Sequence, residues 1–394
     1  MVEPRPPLRM TAAVLVVALA SAAGCTAETA PVPRDPPVWV RHDLPPVAPG
    51  TRVVARDVVR CGEGWVVVGG LRHADGSTAP AAWSSPDGSA WREIPIDARS
   101  YWGRRAIVNA VACSGDRPVA VGSMSGGAHG NPRVTTFHAT GEAWVDVEAP
   151  SELYGGPSAV NVGPVAAGPD GWLIVGNRVS GPAVWRGERP DRFDLVELAH
   201  LPSSRTDRSA WARHGVRHDD RWVVVGSRGV GDARRPAVWT AAADARSWTP
   251  ESISGGDDHG ELHRVAVLDG SPGGTLVAAG VTDDGFGVWR RLPTVFWERE
   301  GRFGARPAGV TTPREVLDLA ADGDGILYAA VSDGESLQLW RSGEGSTWRR
   351  LRAPVSLNAS GDRTLGVATS PTRLVVLTDD GERPALWTRR PDGR

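Results

Sequence analysis

The chain has 394 residues, 41% of them hydrophobic, with 44 basic residues (all arginine) against 46 acidic ones. A net charge of −2 excludes the basic stripe that a nucleic-acid binder sets against phosphate. With 48 Gly and 32 Pro and no long 3.6-residue period, the composition excludes a helical protein and fits a GC-rich bacterial genome.

Reading from the N-terminus, Arg5 and Arg9 precede the apolar run MTAAVLVVALA, and SAAGC follows, ending at Cys25. The run is too short to span a bilayer, so residues 1–24 are expected to be a signal peptide. Ala22-Ala23-Gly24-Cys25 resembles the lipobox of bacterial lipoproteins and departs from it at Ala22, where that family more often has leucine. The resemblance implies cleavage before Cys25 and a lipid on its sulfur, which places the protein on the outer face of the cytoplasmic membrane. An ordinary secretory signal, leaving a secreted protein, is the alternative. Residues 25–37 then form a Pro-rich tether.

From Val38 onward one unit repeats seven times. A short apolar run recurs as GWVVVG (64–69), RPVAVG (117–122), GWLIVG (171–176), RWVVVG (221–226), TLVAAG (275–280), ILYAAV (326–331) and RLVVLT (373–378). Each is followed by an aromatic-marked segment, at Trp83, Phe137, Trp185, Trp239, Trp289, Trp340 and Trp387, and these markers lie 47–54 residues apart. Each unit reads as four short strands, A to D, separated by Gly, Asp, Pro and Ser turns. Strand B is apolar on consecutive residues, so both its faces need cover, as they have between the blades of a propeller. The expected fold is all-β: a seven-bladed propeller of four-stranded antiparallel blades at about 52–97, 105–149, 158–199, 209–251, 262–300, 314–352 and 363–390. The seventh unit lacks strand D, and PVWVRHDLP near the N-terminus is similar to the D strand SAWREIPID. Residues 38–44 are therefore expected to complete the last blade and close the ring. Cys61 and Cys113 end strand A of blades one and two, 52 residues apart, and are read either as a disulfide or as two buried thiols.

Strand order puts the B–C and D–A loops on one face and the A–B and C–D turns on the other. The first set is long and variable, and recognition is expected there. Arginines gather in blades two to four, and acidic stretches such as GGDDHGE (255–261) gather in blades five to seven. The candidate ligand-binding residues are Tyr101, Trp102, Arg104, Arg105, His129, Arg133, Tyr154 and Arg228, an aromatic wall beside charge. Solvated surface is the plainer reading of each. Asp257, Asp258, His259, Glu261 and His263 crowd oxygen and imidazole donors but match no calcium or zinc spacing, so a solvated acidic loop and no metal or other cofactor are expected.

SSPDGSAW, with Ser85, Asp87, Gly88 and Trp91, resembles the Asp-box of bacterial BNR-type, sialidase-like propellers, although Asp and Gly are adjacent where the usual box spaces them by one. SGEGSTW (342–348) and AADARSW (242–248) are weaker copies. In that family the box braces a turn and does no chemistry. Sialidases also resemble one another in an arginine triad, a Tyr–Glu nucleophile and a Phe/Tyr-Arg-Ile-Pro stretch; the last is missing here, and only three tyrosines exist. A monomeric, non-catalytic, lipid-anchored scaffold for a protein or envelope glycan is expected, with a sialidase-like glycoside hydrolase as the alternative.

Overall fold

The computed structural model describes residues 38–391 except 127–131, 199–207, 231–232, 255–258, 269–273 and 294–295. The signal-peptide, tether and Cys25 readings, and those for His129, Asp257 and Asp258, lie outside the described residues.

Seven antiparallel blades form a propeller. Blade one runs Thr51–Cys61, Gly64–His73, Thr78–Ser85 and Arg92–Glu93, each strand paired to the next. The other six repeat this order, with inner strands at Ile107–Ser114, Ala159–Gly168, Arg208–His218, Gly260–Val267, Glu315–Ala321 and Thr364–Ser370. Blades two, five and six add a fifth strand; in blade six Leu357–Asn358 pairs antiparallel with Ser336–Ser342. Ile96–Asp97 and Ser252–Ile253, each arriving from the preceding blade, pair in parallel with the outer strand of the next. The last blade is completed by Val40–His42, whose Val40, Arg41 and His42 face Thr388, Trp387 and Leu386. Trp39 buttresses that closure by donating its Nε1–H to the Arg352 carbonyl at 3.0 Å.

The core is not one body but seven apolar clusters, each between two neighbouring blades. Strand B feeds them alternately. Trp65 and Val67 pack toward blade seven with Val375 and Leu377, while Val66 and Val68 pack toward blade two with Val111 and Phe137. Leu173 and Val175 face blade four, and Trp172 and Ile174 face blade two. A period of two with apolar residues in both registers is what a strand covered on both faces requires. Each such valine or leucine stabilises the ring by about 1.5–3 kcal/mol.

The glycine that closes each early B run has a steric origin. Strand A carries a β-bulge between Ala55 and Asp57, and again between Ala212 and His214 and between Leu262 and Arg264. The carbonyl before the bulge lies over the facing glycine. A Cβ on Gly69 would stand 1.9 Å from the Val54 oxygen, and one on Gly226 would stand 1.8 Å from the Trp211 oxygen. Only glycine admits that approach.

Candidate functional site

The short-turn face is held by local and covalent links. Cys61 and Cys113 are joined with their Cα atoms 5.3 Å apart, and the Gly62 amide donates to the Gly115 carbonyl at 2.8 Å beside them. The turn at Asp87 sits on this face. Asp87 accepts from the Ser89 amide at 2.9 Å, and the Gly88 amide donates to Ser85 Oγ at 2.8 Å. These Ser89 hydrogen bonds hold the Asp87 carboxyl well below the usual range. Gly88 takes φ +76°, and Trp91 is buried against blade seven. The same bracing recurs at Gly345, whose amide donates to Ser342 Oγ at 2.7 Å. The Ser85, Gly88 and Ser89 donors are spent within the turn, which makes it a structural corner.

On the long-loop face two carboxylates each gather several arginines from neighbouring blades. Asp362, in the loop from blade six to seven, is gripped by Arg52 at 3.1 Å, Arg56 at 2.5 Å and Arg72 at 3.3 Å. Burial opposes its ionisation, but these guanidinium groups hold its carboxyl below the usual value. Across the ring, Glu261 meets Arg213 at 2.7 Å, Arg234 at 3.2 Å and His263 at 3.6 Å. Glu261 and His263 are both buried, so with Arg213 and Arg234 they form a packed polar cluster and not a solvated acidic loop. Burial disfavours charge on Glu261, yet hydrogen bonds from His263 and Arg213 keep its carboxyl far below the ordinary range. Among the described residues no group of three or more His, Cys, Asp or Glu is arranged to hold a metal ion.

The blade-two loop brings together Tyr101, Trp102, Arg105 and Arg133. Tyr101 is 52% exposed and meets Trp102 edge to face, ring centroids 4.7 Å apart. The Arg105 guanidinium lies 4.0 Å over the Tyr101 ring, and Arg133 lies 5.6 Å over Trp102. A short 3-10 turn, Gly103–Arg105, sets this spacing. Asp146 anchors it by accepting from the Arg99 amide at 2.6 Å and the Ser100 amide at 3.0 Å. Arg104 stands exposed at the rim. Tyr154, expected to join the cluster, does not: it is 5% exposed, packs on Trp185 at 5.9 Å and belongs to the core between blades two and three. Burial pushes its hydroxyl far above the ordinary tyrosine value. Arg228 is exposed two blades away, opposite Arg235, and does not share the ledge.

Sequence reasoning missed the axial channel. The inner strands enclose a space of about 450 Å³ lined by Asp57, Asn109, His214, Arg264 and Asp318 among others. Asp57, His214, Arg264 and Asp318 hold one register position, the first residue past the bulge, in four different blades. They pin neighbouring blades together. Asp57 accepts from the Val111 amide at 2.9 Å, Asp318 from the Val367 amide at 2.8 Å, and His214 Nδ1 from the Val265 amide at 3.4 Å. A second tier lies nearer the mouth, where Asp379, Asn177 and His263 accept from the amides of Ala55, Ala212 and Val316. Burial, reinforced by the Asp318 charge, pushes Asp57 up to about 7. Burial raises Asp318 as well, and burial followed by the Arg264 charge lowers His214 to about 3. Each of these half-buried side chains lines the narrow lumen between strands, so its charge is poorly hydrated. The only available signal was a polar residue inside an otherwise apolar strand A, as in RVVARDVVR and EVLDLAA.

No protein-family model and no curated protein matches the chain. Solved structures match it as a fold. The β-propeller domain of the Trilobed protease from Pyrococcus furiosus aligns with TM-score 0.49 at 13% identity over 87% of this chain and 96% of that one. Trypanosoma rangeli sialidase gives 0.46 at 12% over 91% of this chain and 60% of its own. A Mycobacterium tuberculosis puromycin-hydrolyzing peptidase gives 0.51 at 12% over 89% of this chain and 53% of its own. The seven-sheet topology defines the class as a β-propeller, and its structural neighbours include sialidase-like and other propeller proteins.

Proposed function

We propose that the protein is an extracytoplasmic, lipid-anchored propeller that binds a protein or an envelope glycan through its long-loop face and performs no chemistry there. The observation that carries this reading is the exposed ledge of Tyr101, Trp102, Arg105 and Arg133, set on a rigid ring. Aromatic rings under guanidinium groups supply flat apolar contact and directed donors together. Two features weigh against a sialidase-like hydrolase. The three arginines that converge on one carboxylate converge on the chain's own Asp362. Of the three tyrosines, Tyr154 and Tyr328 are buried, and exposed Tyr101 faces Arg105 and not a carboxylate. The anchor rests on the lipobox-like sequence ending at Cys25.

Capture of envelope components by the purified propeller, lost in a Tyr101→Ala, Trp102→Ala double variant, tests the binding face. A panel of fluorogenic glycosides tests the alternative; turnover abolished by substituting one loop carboxylate would replace the binder with a hydrolase. Metabolic labelling with a fatty-acid analogue should tag the wild type and not Cys25→Ala, and equal labelling of both refutes the anchor.

A further inference from the structure

We infer that the blade-two ledge takes an acidic polysaccharide, with sugar rings on Tyr101 and Trp102 and carboxylate or phosphate groups on Arg104, Arg105 and Arg133; this rests on the binding reading above.

The first ground is a contrast in charge. Several arginines elsewhere on the long-loop face are matched by carboxylates: Arg52, Arg56 and Arg72 by Asp362, Arg213 and Arg234 by Glu261, and Arg302 by Asp284 at 3.0 Å. The blade-two arginines are grouped without such a match and beside aromatic rings. Among the described residues Arg104, Arg105 and Arg133 have no carboxylate within ion-pair distance. Two nearby acids are engaged otherwise, Asp97 with Arg99 at 2.8 Å and Asp146 with the backbone. Arg105 spends Nη1 on the Tyr101 carbonyl at 3.3 Å, which fixes the guanidinium plane over the ring and leaves its outer edge for a bidentate oxyanion. Arg133 has its Nε enclosed without a hydrogen-bond partner, so its position is set by Trp102 and not by an acid.

The second ground is the apolar surface on offer. A protein interface of ordinary size needs on the order of 800 Å² per partner around an apolar centre. Among the described residues the exposed large hydrophobic ones are Val38, Val40, Tyr101, Val160 and Val179, which are scattered over three blades. One tyrosine ring and the edge of a tryptophan are too little for a protein partner. They match the apolar face of a pyranose, repeated along a polymer whose charges supply the remaining attraction.

The experiment uses the propeller against immobilised polygalacturonate (carboxylate), phosphomannan (phosphate), neutral dextran and phosphatidylglycerol vesicles. Binding to one or both acidic polysaccharides is expected, the responding polymer naming the anion, with dextran silent. Tyr101→Ala and Arg105→Gln should each weaken it about tenfold, the scale of one lost charge-assisted contact. Arg302→Gln, an exposed arginine matched by Asp284, should leave it unchanged, and all three variants should melt with the wild type. Equal binding to dextran, stronger binding to vesicles than to polysaccharide, or affinity unmoved by the ledge variants overturns the inference. If all four surfaces stay silent while envelope capture still depends on Tyr101 and Trp102, the polysaccharide falls and the binding face stands. If that capture fails as well, both fall.

Discussion

Replacing Asp57 with asparagine should change how the stability of the ring moves with pH. In the folded chain the Asp57 carboxyl titrates near 7, against 3.8 as the ordinary value. Between those values the folded state keeps a proton that the unfolded state has lost, so stability falls as pH rises through the window. A gap of about three units corresponds to about 4 kcal/mol. His214 acts in the opposite sense. Its imidazole is lowered to about 3 from 6.5, so the unfolded chain takes up the proton first as pH falls. Its contribution is complete above 6.5 and is lost toward pH 3, again by about 4–5 kcal/mol. From about pH 4 to 6.5 the two slopes oppose one another, and single variants should separate them. Asparagine at 57 keeps an oxygen to accept from the Val111 amide and removes the titration. The melting temperature of Asp57→Asn minus that of the wild type, followed by calorimetry from pH 4 to 8, should rise by several degrees toward alkaline pH. For a ring of this size about 1 kcal/mol moves the midpoint by about 1–2 °C. His214→Asn minus wild type should tilt the other way and gain at acid pH. A flat difference curve for Asp57→Asn over the whole range would refute the reasoning that burial in the channel sets this proton.

Three further outcomes follow from the packing. Converting Cys61 and Cys113 to serine opens a loop of 52 residues and should cost about 3–4 kcal/mol in urea unfolding; an oxidised wild type no more stable than the double variant would show that the link does not staple these blades. Gly226→Ala drives a Cβ to 1.8 Å from the Trp211 oxygen and should destabilise by more than about 3 kcal/mol, whereas Gly76→Ala, with nothing within 4 Å, should cost only about 1 kcal/mol for its φ of +83°; similar melting of the two would contradict the bulge explanation. Removing residues 38–44 strips the outer strand from blade seven and exposes the edge of Pro384–Arg389, so the shortened chain should aggregate at concentrations where the full ring stays monodisperse by light scattering.

Much of the architecture was legible because a propeller is written locally. The apolar B runs, the Trp83-type markers and the turn residues each act within about ten residues, and their sevenfold recurrence counts the blades. Trp39 matched Trp91 in the sequence for the same reason that Val40–His42 pairs with the last blade: an unsatisfied sheet edge needs a strand of that pattern. The aromatic–arginine ledge was partly legible, since Tyr101, Trp102, Arg104 and Arg105 are neighbours in the chain. Arg133 lies over Trp102, and Tyr154 does not join them, because whether a tyrosine faces water or Trp185 depends on a turn of helix between two blades.

The charge pairings were not legible at all. Asp362 lies about 300 residues from Arg52, Arg56 and Arg72, and only closing the ring brings blade seven against blade one. The same holds for Asp57 and Asp318. As sequence they are single polar residues in apolar strands; as structure they occupy equivalent bulges round one axis and clamp the next blade by its amides. Periodicity and turn chemistry, which act over a few residues, decided by themselves that this chain is a seven-bladed ring. Which charges are paired inside it, and which stand unpaired on blade two, depends on distances through space, and the tertiary structure alone set those.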